Sequence, residues 1–105
     1  MIGMDGYLKL IDLGLCKKLS ISERTKTYCG TIEYMAPEMV THSPYGFPID
    51  VWGFGILIYE LTKGETPFYS SSAIETLRKI NEDDPNLSGM NDETASICKI
   101  CLIKD

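Results

Sequence analysis

The chain has 105 residues, with 10 Lys plus Arg against 15 Asp plus Glu and a formal net charge of −5 at pH 7. That length holds one domain at most and excludes a two-domain enzyme, while 44% apolar and 24% charged residues describe a globular chain rather than a disordered one. The negative balance argues against nonspecific binding to nucleic acid or anionic membranes, which depends on Lys and Arg neutralising phosphate, though it leaves room for a locally basic groove.

In chain order, Met1 to Gly6 has neither the basic start nor the apolar core of a signal peptide. Met1-Ile2 reads as the end of a short strand, Asp5-Gly6 as a turn, and Tyr7-Leu8-Lys9-Leu10-Ile11 as a second short strand. Lys17 to Thr27 is polar and aperiodic, a loop. Pro37 followed by Glu38-Met39-Val40 predicts a short helix with Pro in its first turn. His42 to Pro48 is a second loop. Ile49 to Thr62 is the strongest helix, with Asp50 near its start and Lys63-Gly64 at its end.

That helix is apolar on nearly every face, so protein must cover it. The 105 residues in isolation are therefore expected to lack a sharp cooperative melting transition. Its apolar run, Val51 to Tyr59, is far short of the ~20 residues that span a bilayer. Ser72 is placed to cap a helix from about Ala73 to Asn81, and Asn91 or Asp92 to open a last helix toward Lys104.

The four Cys are Cys16, Cys29, Cys98 and Cys101. Cys98-x-x-Cys101 has the spacing of half a zinc site. The other two lie far apart, and His42, the only His, has no partner at zinc-finger spacing. The favoured reading is four reduced thiols in the cytoplasm.

Asp12-Leu13-Gly14 puts a carboxylate directly after an apolar segment, where it can hold a hard cation such as Mg²⁺, although Asp-x-Gly is also ordinary turn chemistry. Ser20, Ser22, Thr25 and Thr27 share a loop with Lys17, Lys18, Arg24 and Lys26. A phosphate added there would find cationic partners and could order the loop; a solvated surface loop has the same composition.

The order of motifs separates these readings. Asp12-Leu13-Gly14, then Thr27-Tyr28-Cys29-Gly30-Thr31-Ile32-Glu33-Tyr34-Met35-Ala36-Pro37-Glu38, then Asp50-Val51-Trp52-Gly53-Phe54-Gly55, resembles the C-terminal lobe of a eukaryotic protein kinase. Leu15-Cys16-Lys17 and the string from Thr27 to Tyr34 resemble the AGC group of Ser/Thr kinases. The resemblance covers nearly the whole chain and well under half of a complete kinase domain. The fold it implies is α+β, mainly α: short strands at the N-terminus, then helices, as a partial C-terminal lobe over residues 1–105.

By resemblance, Asp12 would be the Mg²⁺ ligand that organises ATP phosphates, and Gly14 would permit the turn that sets it. Met1 would lie near the adenine. Thr27 would be the activation-loop phosphorylation site, the target of an upstream kinase, and Lys17 a partner for its phosphate. Thr31 would sit beside the substrate hydroxyl, and Gly30 with Ile32 to Tyr34 would shape a peptide shelf. Glu33 and Glu60 would read basic residues near the target Ser or Thr. Glu38 would pair with a buried Arg further along, Asp50 would brace the catalytic loop, and Trp52 would pack.

Leu13 departs from the usual Phe of Asp-Phe-Gly. The Gly-rich loop, the strand Lys and the His-Arg-Asp catalytic loop are not among these residues. The expectation is an ATP- and Mg-dependent protein Ser/Thr kinase whose 105-residue segment is inactive by itself. The alternatives are a catalytically dead kinase-like binding module and a truncated product without independent function. Partners are expected to be basic protein substrates, with no nucleic acid and no membrane span.

Overall fold

In the computed structural model, which describes residues 1–104, the chain divides into an open N-terminal segment and a helical body. Helices α1 (Pro37–Val40), α2 (Pro48–Lys63), α3 (Ala73–Glu82) and α4 (Asp92–Cys101) follow a single 3₁₀ turn at Ile32–Tyr34. The architecture is mainly helical, as the motif order implies.

The N-terminal strands contract to one antiparallel bridge, Ile2 to Leu8. It closes a tight turn in which the Gly3 amide donates to the Tyr7 carbonyl at 2.8 Å and the Lys9 amide to the Met1 carbonyl at 2.9 Å. The expected strand Tyr7 to Ile11 goes no further. Alternation makes a ribbon with an apolar side, but a strand also needs a hydrogen-bonding neighbour, and a lone hairpin is marginal in water. The described residues offer Leu8 a partner and leave Leu10 91% exposed.

The helices follow local signals closely. Pro37 and Pro48 open α1 and α2 from inside the first turn, where their missing N–H groups cost nothing. Gly64 ends α2 in the left-handed region at φ 82°, and its amide returns to the Glu60 carbonyl at 2.8 Å. Asn91 caps α4 by accepting from the Thr94 amide at 2.8 Å. Helix α4 stops at Cys101, short of Lys104. Ser72 precedes α3 but makes no side-chain cap; its amide turns back to the Ser70 hydroxyl at 3.4 Å instead.

One stripe of α2, formed by Trp52, Ile56 and Tyr59, meets Phe68, Ile80 of α3, Cys98 of α4 and Leu102 to form the core, which Met35, Ala36 and Met39 extend. Trp52 stacks on Phe68 with ring centroids 5.9 Å apart. Gly55 lets α4 approach closely: a Cβ there would fall 2.6 Å from that of Cys101. The other side of α2 is open, with Phe54 53% and Leu61 72% exposed. The expectation that α2 needs cover all round is met on one side by these residues.

Candidate functional site

Asp12 adopts φ 60°, a left-handed conformation unusual for a residue with a side chain. Its Oδ1 accepts from the Gly14 amide at 3.5 Å. Asp tolerates this region better than most residues, as His42 at φ 55° does elsewhere in the chain. No group of three metal-ligating side chains occurs among the described residues. A single carboxylate fits Mg²⁺, which commonly takes one or two carboxylates and fills its shell with water and phosphate oxygens. Met1 is exposed at the opposite end of the same segment, and its amino group donates to the Lys9 carbonyl at 3.2 Å.

The loop that follows is anchored from behind. Thr25 and Tyr45 exchange two backbone hydrogen bonds, each 2.9 Å, across an isolated bridge. The buried Tyr45 hydroxyl donates to the Thr27 carbonyl. Burial pushes this phenol's pKa up, keeping it a proton donor. The Thr27 side chain stays at the surface, its hydroxyl 3.2 Å from that of Thr25, which in turn accepts from Lys17 Nζ at 3.4 Å. Lys17 and Thr27 thus meet through Thr25. Tyr45 gave no signal beyond being one aromatic between Pro44 and Gly46 in a loop.

Gly30 turns the chain at φ 105°, a conformation that suits glycine alone, and delivers Thr31, exposed, to the start of the 3₁₀ turn. That turn projects Glu33 and Tyr34 toward α2. The Tyr34 hydroxyl donates to Glu60 Oε2, and the Thr66 hydroxyl donates to Glu33 Oε2 at 2.7 Å. Burial first, then the hydrogen bond to Glu60 and the charges of Glu60 and Glu33, push the Tyr34 phenol up to about 12. Both carboxylates therefore lie within electrostatic reach of one phenol. Neither has a cationic partner among the described residues. Thr66 carried no sequence signal, because its partner lies 33 positions away.

The Glu38 side chain, in α1, has no hydrogen bond or ion pair among the described residues and lies at the edge of a cavity of about 420 Å³ shared with Trp52, Phe47 and Ile100. The Trp52 indole N–H is buried and has no acceptor among the described residues. Asp50 lies exposed in the first turn of α2. The four Cys are free thiols: Cys98 is buried and Cys16 exposed. No helix among the described residues is long and apolar enough to cross a membrane.

An Asp-x-Gly turn, a tethered Thr-bearing segment and two carboxylates without cationic partners are strung in this order on a mainly helical frame, consistent with part of a protein-kinase-like fold. The chain belongs to the protein kinase domain family, whose model matches residues 1–105. It is 36% identical over 107 residues to serine/threonine-protein kinase akt-1 of Caenorhabditis elegans, covering 100% of this chain and 20% of that protein. It is 39% identical over 87 residues to protein kinase C delta type of Rattus norvegicus, covering 82% of this chain and 13% of that protein. It is 47% identical over 68 residues to cGMP-dependent protein kinase 2 of Mus musculus, covering 65% of this chain and 9% of that protein. These relatives are AGC-group Ser/Thr kinases. The chain thus spans a fifth or less of the length of the relatives it matches. Protein kinase domains as a family use ATP with magnesium and act on proteins.

Proposed function

We propose that these residues are the Mg-binding turn, activation segment and substrate-facing helices of a cytoplasmic, ATP-dependent protein Ser/Thr kinase that prefers targets near basic residues. The observation that carries this reading is the pair of carboxylates, Glu33 and Glu60, each held by a neutral hydroxyl and neither compensated by a cation. Their charge remains available to a Lys or Arg of a docked peptide.

Roles follow by position. Asp12 supplies a carboxylate oxygen to Mg²⁺, and Gly14 completes the turn that aims it. Mg·ATP, when bound, brings the phosphoryl group to be transferred and neutralises charge on its phosphates. Met1 lies toward the adenine. Thr31 and Gly30 border the site of the target hydroxyl. Thr27 receives a phosphate from an upstream kinase, and Lys17, already one hydroxyl away, is a cation placed to hold it. Glu38 presents a carboxylate without an ion pair to a cavity that Trp52 also lines, the place for the buried Arg that the family puts there. Asp50 braces the catalytic loop. The four free thiols suit a reducing compartment.

The complete domain, with its catalytic loop, carries the activity, and the 105-residue chain by itself is inactive. The test is phosphate transfer by that complete domain to matched Ser peptides with Arg or Ala upstream. Faster turnover of the Arg peptide, with the preference reduced in Glu33→Gln/Glu60→Gln, supports the reading. Equal turnover of both peptides, or no transfer, contradicts it.

A further inference from the structure

The turn after α2 contains a side chain that no motif singles out. Thr66 is 5% exposed, and its hydroxyl donates to Glu33 Oε2 at 2.7 Å. Two fixed points hold this residue in place. Behind it, Gly64 closes α2 through its bond to Glu60; ahead of it, Phe68 is fully buried against Trp52. The Tyr69 amide returns to the Thr66 carbonyl at 3.3 Å, closing the turn around Pro67. Glu33 comes from a three-residue 3₁₀ turn, whose own backbone does little to orient a long, flexible side chain.

The chemistry of the clamp matters as much as its geometry. A Lys or Arg could also have held Glu33, but it would have cancelled the charge. A hydroxyl fixes the carboxylate and leaves it anionic. Tyr34 does the same for Glu60. Each Glu is bound through Oε2, and Oε1 has no protein partner among the described residues.

Resting on the reading of Glu33 as a substrate-facing carboxylate, we infer that Thr66 is a positioning residue for substrate selection. It locks Glu33 in the orientation that accepts a cationic side chain of a peptide. Its contribution depends on the hydroxyl, so Ser can replace it and Val, of equal shape, cannot.

The experiment is peptide binding by calorimetry and steady-state turnover in the complete kinase domain, using a Ser peptide with one upstream Arg and its Ala counterpart. Thr66→Val should weaken the Arg peptide about tenfold, the factor that corresponds to ~1.4 kcal/mol. The Ala peptide and kcat should be unmoved, and Thr66→Ser should restore the wild-type preference. On a Glu33→Ala background, Thr66→Val should have no further effect on the Arg-to-Ala ratio. Thr66→Ala serves as the second hydroxyl-free variant if Val perturbs folding, with Trp52 fluorescence as the check. Loss of the preference in Glu33→Gln but not in either hydroxyl-free variant overturns the role of Thr66 and leaves the acidic surface standing. A wild-type domain that binds both peptides equally overturns the acidic surface, and this inference with it.

Discussion

The Tyr45 hydroxyl donates to the backbone carbonyl of Thr27, so the loop before α2 grips the Thr27 segment by its main chain. The grip is continuous with the paired Thr25 and Tyr45 backbone bonds. Main-chain attachment leaves the Thr27 side chain exposed for modification while restricting where it points. Tyr45→Phe should therefore leave burial intact and cost ~1 kcal/mol locally, the usual net worth of one hydrogen bond. Amide exchange at Thr25 and Tyr45 should accelerate about fivefold. Unchanged protection at both amides would show that the hydroxyl contributes nothing to the tether.

Two glycines of α2 should respond in opposite directions. A Cβ on Gly55 would lie 2.6 Å from Cys101 Cβ and 2.9 Å from Leu102 Cδ2, where the neighbours are a helix and its cap. Gly55→Ala should destabilise the complete domain by ~1–3 kcal/mol in denaturant unfolding, through overpacking. A Cβ on Gly53 meets nothing within 4 Å. In this arrangement Gly53→Ala gains roughly 0.5–1 kcal/mol, because alanine restricts the unfolded chain and favours helix. Equal effects of the two substitutions would contradict the close approach of α2 and α4.

Arg78 organises the end of α3. It binds Glu75 at 2.8 Å, Glu82 at 2.9 Å and Asp83 at 2.9 Å. The Arg78 hydrogen bonds hold the Glu75 and Asp83 carboxyls below their ordinary values of 4.5 and 3.8. Depressed folded values mean that the stabilisation is complete above the ordinary values and is lost as pH falls through the depressed ones. The stability difference between wild type and Arg78→Met, measured by denaturant unfolding, should thus be constant near neutral pH and shrink in acid. All four side chains are partly exposed, so added salt should shrink it too. A difference that grows as pH falls would reverse the assignment.

Phosphate on Thr27 should be a switch. It adds about two negative charges within reach of Lys17, which is already hydrogen-bonded to Thr25. In the complete domain, phosphorylated wild type should turn over peptide at least about tenfold faster than Thr27→Ala, and phosphorylated Lys17→Ala should show part of the same loss. Equal turnover of phosphorylated wild type and Thr27→Ala would remove the switch.

What could be read from the sequence was local, and what could not was relational. Helices α2, α3 and α4 announced themselves through period, Pro and Gly punctuation and the Asn91 cap, because those signals act within one or two turns. Ser72 looked like a cap of the same kind and is not one: its hydroxyl makes no cap bond, and its amide is held by the Ser70 hydroxyl in a Ser-rich turn. The strand at Tyr7 to Ile11 had the right alternation but only one neighbour to pair with, and pairing is not a property of the strand alone. The 3₁₀ turn at Ile32–Tyr34 is too short to have a period. At the candidate site, motif order singles out Asp12, Thr27, Glu33 and Glu60 as candidates. The Tyr45 tether and the Thr66 clamp join residues 18 and 33 positions apart, and no local pattern encodes them.

The role proposed for Asp12 in phosphate transfer from ATP to a protein hydroxyl can be measured in the complete domain. The complete domain is incubated with Mg²⁺, γ-labelled ATP and an Arg-containing Ser peptide, and label in the peptide is counted for wild type and Asp12→Ala. Wild type should incorporate label steadily and Asp12→Ala only at background, with both proteins equally folded by Trp52 fluorescence. Incorporation by Asp12→Ala at the wild-type rate would contradict it.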